Sequence, residues 1–117
     1  MLKIGDKVID FSCKDDSGKI INFSQYKGNK VVIFFYPKAD TPGCTAEACS
    51  LRDNYKEISQ LGYSILGVSA DTEKKQKSFS DKFQLNFPLI ADSEKEVINL
   101  FGVWGPKKFM GREYEGI

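Results

Sequence analysis

KVVIFFYPKADTPGCTAEAC, residues 30–49, decides how the rest of the chain is read. Its first part, KVVIFFY, is an unbroken run of β-branched and aromatic residues. Such a run predicts a central strand covered on both faces. Pro37 cannot donate to a sheet ladder and stops it. A helix then opens within a few residues. Thr41 is a natural N-cap and Pro42 falls at the first helical position, where a missing N–H costs nothing. Ala48, Leu51, Tyr55 and Ile58 recur at spacings of three and four, so one face is buried and the helix is predicted from about Thr41 to Gln60. Gly62 closes it.

The alternation continues outward. YSILGVSA (63–70) reads as a second buried strand. EKKQKSFSDKFQ (73–84) reads as a helix that buries Phe79 and Phe83, with KKQK as its wet face. NFPLIAD (86–92) is a third strand. SEKEVINLFG (93–102) has Ser93 followed three residues later by Glu96, the pattern of a capping box. Upstream, VIDFSC (8–13) and SGKIINFSQY (17–26) read as two strands around a turn at Asp16, Ser17 and Gly18. The tail VWGPKKFMGREYEGI (103–117) reads as loop with short extended pieces. From residue 31 the order is β-α-β-α-β-α. It predicts a single α/β domain, residues 1–117, with a central mostly parallel sheet flanked by helices. In such sheets, sites form at the carboxyl ends of the strands, and PKADTPGC occupies that place.

Composition narrows the chemistry. The 117 residues are 41% hydrophobic and 28% charged, which excludes a disordered chain. A net charge of +1 gives no field that would draw nucleic acid or anionic lipid. The start carries no apolar stretch of signal-peptide length, and VVIFFY is too short to span a membrane, so the chain is read as cytoplasmic. It has three cysteines and no histidine. An odd count argues against a disulfide-stapled secreted domain. No set of four Cys or His ligands exists for structural zinc. Cys44 and Cys49 match the start of a plant-type iron–sulfur spacing, but Arg52 stands where the third cysteine belongs. No glycine-rich phosphate motif occurs, so no metal or cofactor is expected.

The two thiols remain. As the third residue of its helix, Cys44 would lie among unpaired N–H groups that stabilise a thiolate. The plainer alternative is a small core residue. Cys49 falls on the flank of Asp53 and Lys56 and is expected to face water. Five residues along a regular helix separate the Cα atoms by ~8.6 Å. A disulfide needs ~4.4 to 6.8 Å. The pair therefore bonds only if the first turns unwind, and Ala46 and Ala48 are weak anchors against that. A thiol that reacts first with a small oxidant, and a second that condenses with its sulfenic acid, would make a peroxidase cycle.

FYPKADTPGCTAEAC and FGVWGPKKFMG carry a specific resemblance, which extends over the whole chain. The sequence resembles the peroxiredoxins, in particular the bacterioferritin comigratory protein group, or Q type. The family pattern P-x-x-x-[TS]-x-x-C falls on Pro37, Thr41 and Cys44. The resemblance implies a thioredoxin-like fold and reduction of hydrogen peroxide and organic hydroperoxides without a cofactor. It makes Cys44 the peroxidatic and Cys49 the resolving cysteine, joined in an intrachain disulfide that thioredoxin or a similar dithiol reduces. Thr41 would hydrogen-bond peroxide or thiolate, and Pro37 would shield the pocket. Cys13 has no role in that pattern and is expected to pack. Glu47 could orient a cation or simply favour the helix dipole. Trp104 and Tyr114 are expected to cover the sheet or the site mouth.

The chain also departs from the family. Relatives continue past GREYEGI into closing strands, a last helix and an active-site arginine. Arg52 is a weak substitute for that arginine, and Arg112 cannot be placed from sequence. Full-length members are expected to be monomers, whereas a bare sheet edge in a shorter chain would invite dimers or swapping. Two rival functions stay open at this point. One is a dithiol oxidoreductase acting on protein disulfides. The other is a truncated thioredoxin-like binding module with inert cysteines.

Overall fold

The computed structural model describes residues 5–8, 10–109 and 112–116. Three parallel strands form its centre, β3 (Lys30–Phe35), β4 (Tyr63–Ser69) and β5 (Leu89–Ala91), in the order β3-β4-β5. They follow a hairpin of β1 (Ser12–Lys14) and β2 (Ile20–Asn22). The buried Asp15 closes that hairpin. Its Oδ1 accepts from the Ser17 and Lys19 amides, both at 2.9 Å, and from the Ser17 hydroxyl at 2.8 Å. Helices α1 (Pro42–Asp53) and α2 (Tyr55–Gln60) connect β3 to β4. Helix α3 (Glu73–Phe83) connects β4 to β5, and α4 (Glu96–Phe101) follows. An antiparallel hairpin of β6 (Gly105–Phe109) and β7 (Arg112–Gly116) comes last.

Alternate residues of a strand face opposite sides of a sheet. Ile65 therefore joins a cluster with Tyr36, Cys44, Ala48, Phe79, Phe87 and Leu89, beneath α1 and α3. Leu66 and Val68 join Ile21, Ile90, Val97 and Ile98 on the other face, beneath α4. Fully burying a side chain such as Phe79 contributes roughly 1.5 to 3 kcal/mol. Gly67 stays small because a Cβ there would lie 2.6 Å from the Leu89 side chain.

Five local expectations change. The helix expected over 41–60 breaks at Asn54, whose side-chain Nδ2 donates at 2.8 Å to the Ser50 carbonyl and shares it with the regular helical bond from the Asn54 amide at 3.1 Å. The strand expected over 17–26 stops at Asn22. Phe23–Tyr26 is a 3-10 turn, with the Gln25 side chain accepting from the Asn22 amide at 2.8 Å. Ser93 does not cap α4. The buried Asp92 accepts from the Ile98 amide at 2.7 Å, and Lys95, in the left-handed region at φ 60, occupies the N-cap. The tail forms a hairpin, because strand pairing satisfies the backbone that a loop would leave to water. Finally, β3 is an edge strand among the described residues and β4 is central. An apolar run reports which faces are covered, and it says nothing of whether both backbone edges are paired.

Candidate active site

The backbone leaves β3 one residue late. The Tyr36 amide donates to the Val68 carbonyl at 3.1 Å, and Pro37, without an N–H, ends the ladder. Residues 37–41 then turn sharply, with Asp40 left-handed at φ 60. The first helical bond runs from the Thr45 amide to the Thr41 carbonyl at 2.8 Å. Pro42 stands at the start of α1 as the sequence required, and Cys44 falls in its first turn.

Thr41 occupies the N-cap in extended conformation, yet its side chain does not cap the helix. Its hydroxyl donates to the Lys38 carbonyl at 2.9 Å. Pro37, Pro42 and Gly43 are exposed. Cys44 is more enclosed than a reactive thiol on an open surface, at 8% exposure within the α1–α3 cluster. Cys49 lies further along the same helix and is half-buried, less open to water than its polar flank implied. Both are free thiols, as is Cys13. Cys13 Sγ donates to the Ala91 carbonyl at 3.5 Å and packs against the second cluster. Burial, with Asp92 nearby, pushes its thiol up to about 11.

The sequence's other candidates lie away from the thiol. Arg52 Nη1 donates to the Phe83 carbonyl at 2.6 Å and its Nε to Asp53 Oδ1 at 3.0 Å, so it secures the end of the helix. Glu47 is exposed on a groove of about 300 Å³ beside β3, lined also by Val32, Ile33, Phe34, Ser50 and Leu51. Trp104 packs on the second cluster with Lys95 Nζ 4.9 Å from its ring centroid. The Arg112 and Tyr114 side chains lie outside the described residues. No metal-binding group of three or more His, Cys, Asp or Glu occurs among the described residues. No helix there is long and apolar enough to cross a membrane.

Sequence reasoning missed a polar network beneath the loop. The Tyr36 hydroxyl donates to Gln76 Oε1. Gln76 Nε2 lies 3.0 Å from Ser69 Oγ and 2.9 Å from the Ile90 carbonyl. The Ser69 hydroxyl donates to Asp71 Oδ2 at 2.7 Å, and the Ala39 amide donates to the same oxygen at 2.8 Å. Gln76, assigned to a wet face, is fully buried, whereas Lys74, Lys75 and Lys77 around it are exposed. The signal was present: Gln76 precedes Phe79 by three and Phe83 by seven, which places it on the apolar stripe. A polar residue there needs partners, and it has them.

The AhpC/TSA family matches residues 4–115. Peroxiredoxin Bcp of Escherichia coli K12 is 47% identical over 116 residues, covering 99% of this chain and 74% of that protein. The crystal structure of peroxidoxin BcpB from Mycobacterium tuberculosis superposes with a TM-score of 0.86 at 36% identity, over 99% of this chain and 75% of that one. A Xanthomonas campestris bacterioferritin comigratory protein, described by its alkyl peroxide reduction activity, gives a TM-score of 0.85 at 33% identity, over 92% and 68% of the two chains.

Proposed function

The chain belongs to the AhpC/TSA family and is a peroxiredoxin, a thiol peroxidase on a thioredoxin-like α/β fold, and on that premise we propose that Cys44 is its peroxidatic and Cys49 its resolving thiol. The observation that carries this reading is the placement of Cys44 in the first turn of α1, directly after the loop at the carboxyl end of β3, with Cys49 free on the same helix. The Cys44 thiolate attacks one peroxide oxygen. An S–O bond forms, the O–O bond breaks, and water or an alcohol leaves after protonation. Sulfur loses two electrons and the peroxide gains them. Amides of the first turn and the Thr41 hydroxyl, once turned from Lys38, stabilise the charge that develops. Pro37, exposed at the loop's start, shields the reacting thiol from bulk water.

Cys49 then attacks the sulfenic sulfur. An S–S bond forms and water leaves. Because α1 is continuous from Pro42 to Asp53, this step requires its first turns to open. An external dithiol, thioredoxin or one like it, restores both thiols by exchange. Hydrogen peroxide and alkyl hydroperoxides are the proposed substrates and the cytoplasm the proposed compartment, where such dithiols are kept reduced. Cys13 takes no part, since its raised pKa and its bond to Ala91 keep it a protonated packing group.

Stoichiometric peroxide followed by intact mass and peptide mapping tests the assignment. The expected product has lost about 2 Da, with Cys44 linked to Cys49. Cys49→Ser should leave a trappable sulfenic acid on Cys44. A Cys13–Cys44 link in Cys49→Ser would make Cys13 the resolving thiol instead.

A further inference from the structure

The loop carrying Thr41 and Cys44 has to hold two states, one closed for reaction with peroxide and one opened for the disulfide. Its own sequence holds it weakly. Asp40 is left-handed, Pro42 and Gly43 are exposed, and the Thr41 side chain leaves the helix start uncapped. Among the described residues the loop makes one ion pair, Asp40 to Lys82 at 2.9 Å, which is exposed on both sides and contributes little.

A different contact reaches the loop from below. Ser69 ends β4, and Asp71 follows in the turn before α3. The Asp71 carboxylate accepts the Ala39 amide at 2.8 Å, a charge-assisted bond in a half-buried setting. The same oxygen accepts the Ser69 hydroxyl. Ser69 is in turn bonded to Gln76, and Gln76 to Tyr36. The network thus grips the loop at its start, through Tyr36, and at its middle, through Ala39. Tyr36 itself lies in the same buried cluster as Cys44. Burial holds the Tyr36 phenol far above the ordinary tyrosine range, so it remains a donor at any working pH.

We propose that Asp71 is a positioning residue: its carboxylate clamps the Ala39 amide and thereby sets the balance between the closed, peroxide-reactive loop and the opened, disulfide-forming one. The proposal rests on the assignment of Cys44 and Cys49 made above. Loss of the clamp shifts the loop towards opening. Attack on peroxide slows because Thr41 and the first turn are no longer held around the thiol. Condensation with Cys49 does not slow, because opening is the step it needs. Further oxidation of the sulfenic acid to sulfinic acid becomes rarer, since that reaction uses the closed loop and competes with opening.

Rapid mixing of the reduced chain with hydrogen peroxide, read by fluorescence and by quenched-flow mass spectrometry, separates these steps. Asp71→Ala removes the acceptor of both the Ala39 amide and the Ser69 hydroxyl, and it should slow the peroxide step about fivefold to 150-fold, the range that leaving a polar donor without its partner allows. Its disulfide step should be unchanged or faster, and its sulfinic acid per turnover lower. Asp71→Asn keeps an acceptor oxygen for Ala39 and should recover most of the peroxide rate; being nearly isosteric, it also carries the comparison if the alanine variant does not fold. Lys82→Ala, which breaks the exposed ion pair, should stay within about twofold of wild type. Equal slowing of both steps in Asp71→Ala without rescue by asparagine would assign Asp71 to stability alone and overturn the proposal. So would unchanged kinetics in both Asp71 variants. If wild type forms no Cys44–Cys49 bond, the assignment of the thiols fails first, and the mass spectrum shows it before any variant is compared.

Discussion

The two ends of α1 are built to different standards. At its start, Pro42, Gly43, Ala46 and Glu47 are exposed, and only Cys44 and Ala48 reach the core. At its end, Leu51 packs on the first cluster, Arg52 donates to the Phe83 carbonyl, and Asn86 Nδ2 donates to the Arg52 carbonyl at 3.3 Å. The Asn54 side chain adds a bond to Ser50. One helix therefore has a start that can fray and an end secured to α3 and the loop after it. Local opening free energies follow such differences in burial and bonding. A disulfide between Cys44 and Cys49 needs the first part to unwind while the second holds the chain in register.

Arg52→Ala attacks the secured end and should have the largest effect on stability. It removes the bonds to Phe83 and Asp53 together, so the urea midpoint should fall clearly, while the rate of Cys44–Cys49 closure after peroxide changes little. If closure accelerates as much as stability falls, the two ends are not independent. Gly43→Ala acts on the frayed end. A Cβ there meets nothing within 4 Å. The substitution should stabilise the closed helix by about 0.4 to 1 kcal/mol by restricting the unfolded chain. Disulfide closure should slow about twofold to fivefold, with the peroxide step nearly unchanged. Closure at the wild-type rate would show that opening does not limit condensation.

The smallest effect concerns Cys13, which belongs to neither end. Its pKa is raised by burial from 9.0 to about 11, so the folded state holds the proton more tightly than the unfolded one. The associated stability is fully present below pH 9 and is lost as pH rises through about 11. Denaturation midpoints measured from pH 8 to pH 11 should decline less in Cys13→Val than in wild type. Identical slopes would remove Cys13 from the alkaline response.

Much of this molecule was legible in order along the chain. The β3 run, the Thr41-Pro42-Gly43-Cys44 opening and the Phe79/Phe83 spacing each report a local physical constraint, and each element formed where it was expected. Boundaries that depended on a competing side chain were not legible. Asn54 diverted a helix, Gln25 turned a strand into a 3-10 turn, and Asp92 displaced Ser93 as the partner of the α4 amides. In each case a polar group outside the scanned pattern satisfied the backbone first. Among the candidate residues, the places of Pro37, Thr41, Cys44 and Cys49 after β3 and along α1 were readable because strand and helix patterns are short-range. Ser69, Asp71 and Gln76 were not, because they meet Tyr36 and Ala39 only after β3 and β4 pair.

The sequence by itself determined that a strand would deliver a thiol into the first turn of a helix, and that a second thiol five residues on could not reach it while that helix stayed whole. Both follow from backbone geometry over adjacent residues. Tertiary structure alone decided how deeply Cys44 is enclosed, where Arg52 points, and which carboxylate holds the loop. Those outcomes depend on packing between segments some thirty residues apart, such as Ala39 and Asp71, and no local pattern encodes a distance across a sheet.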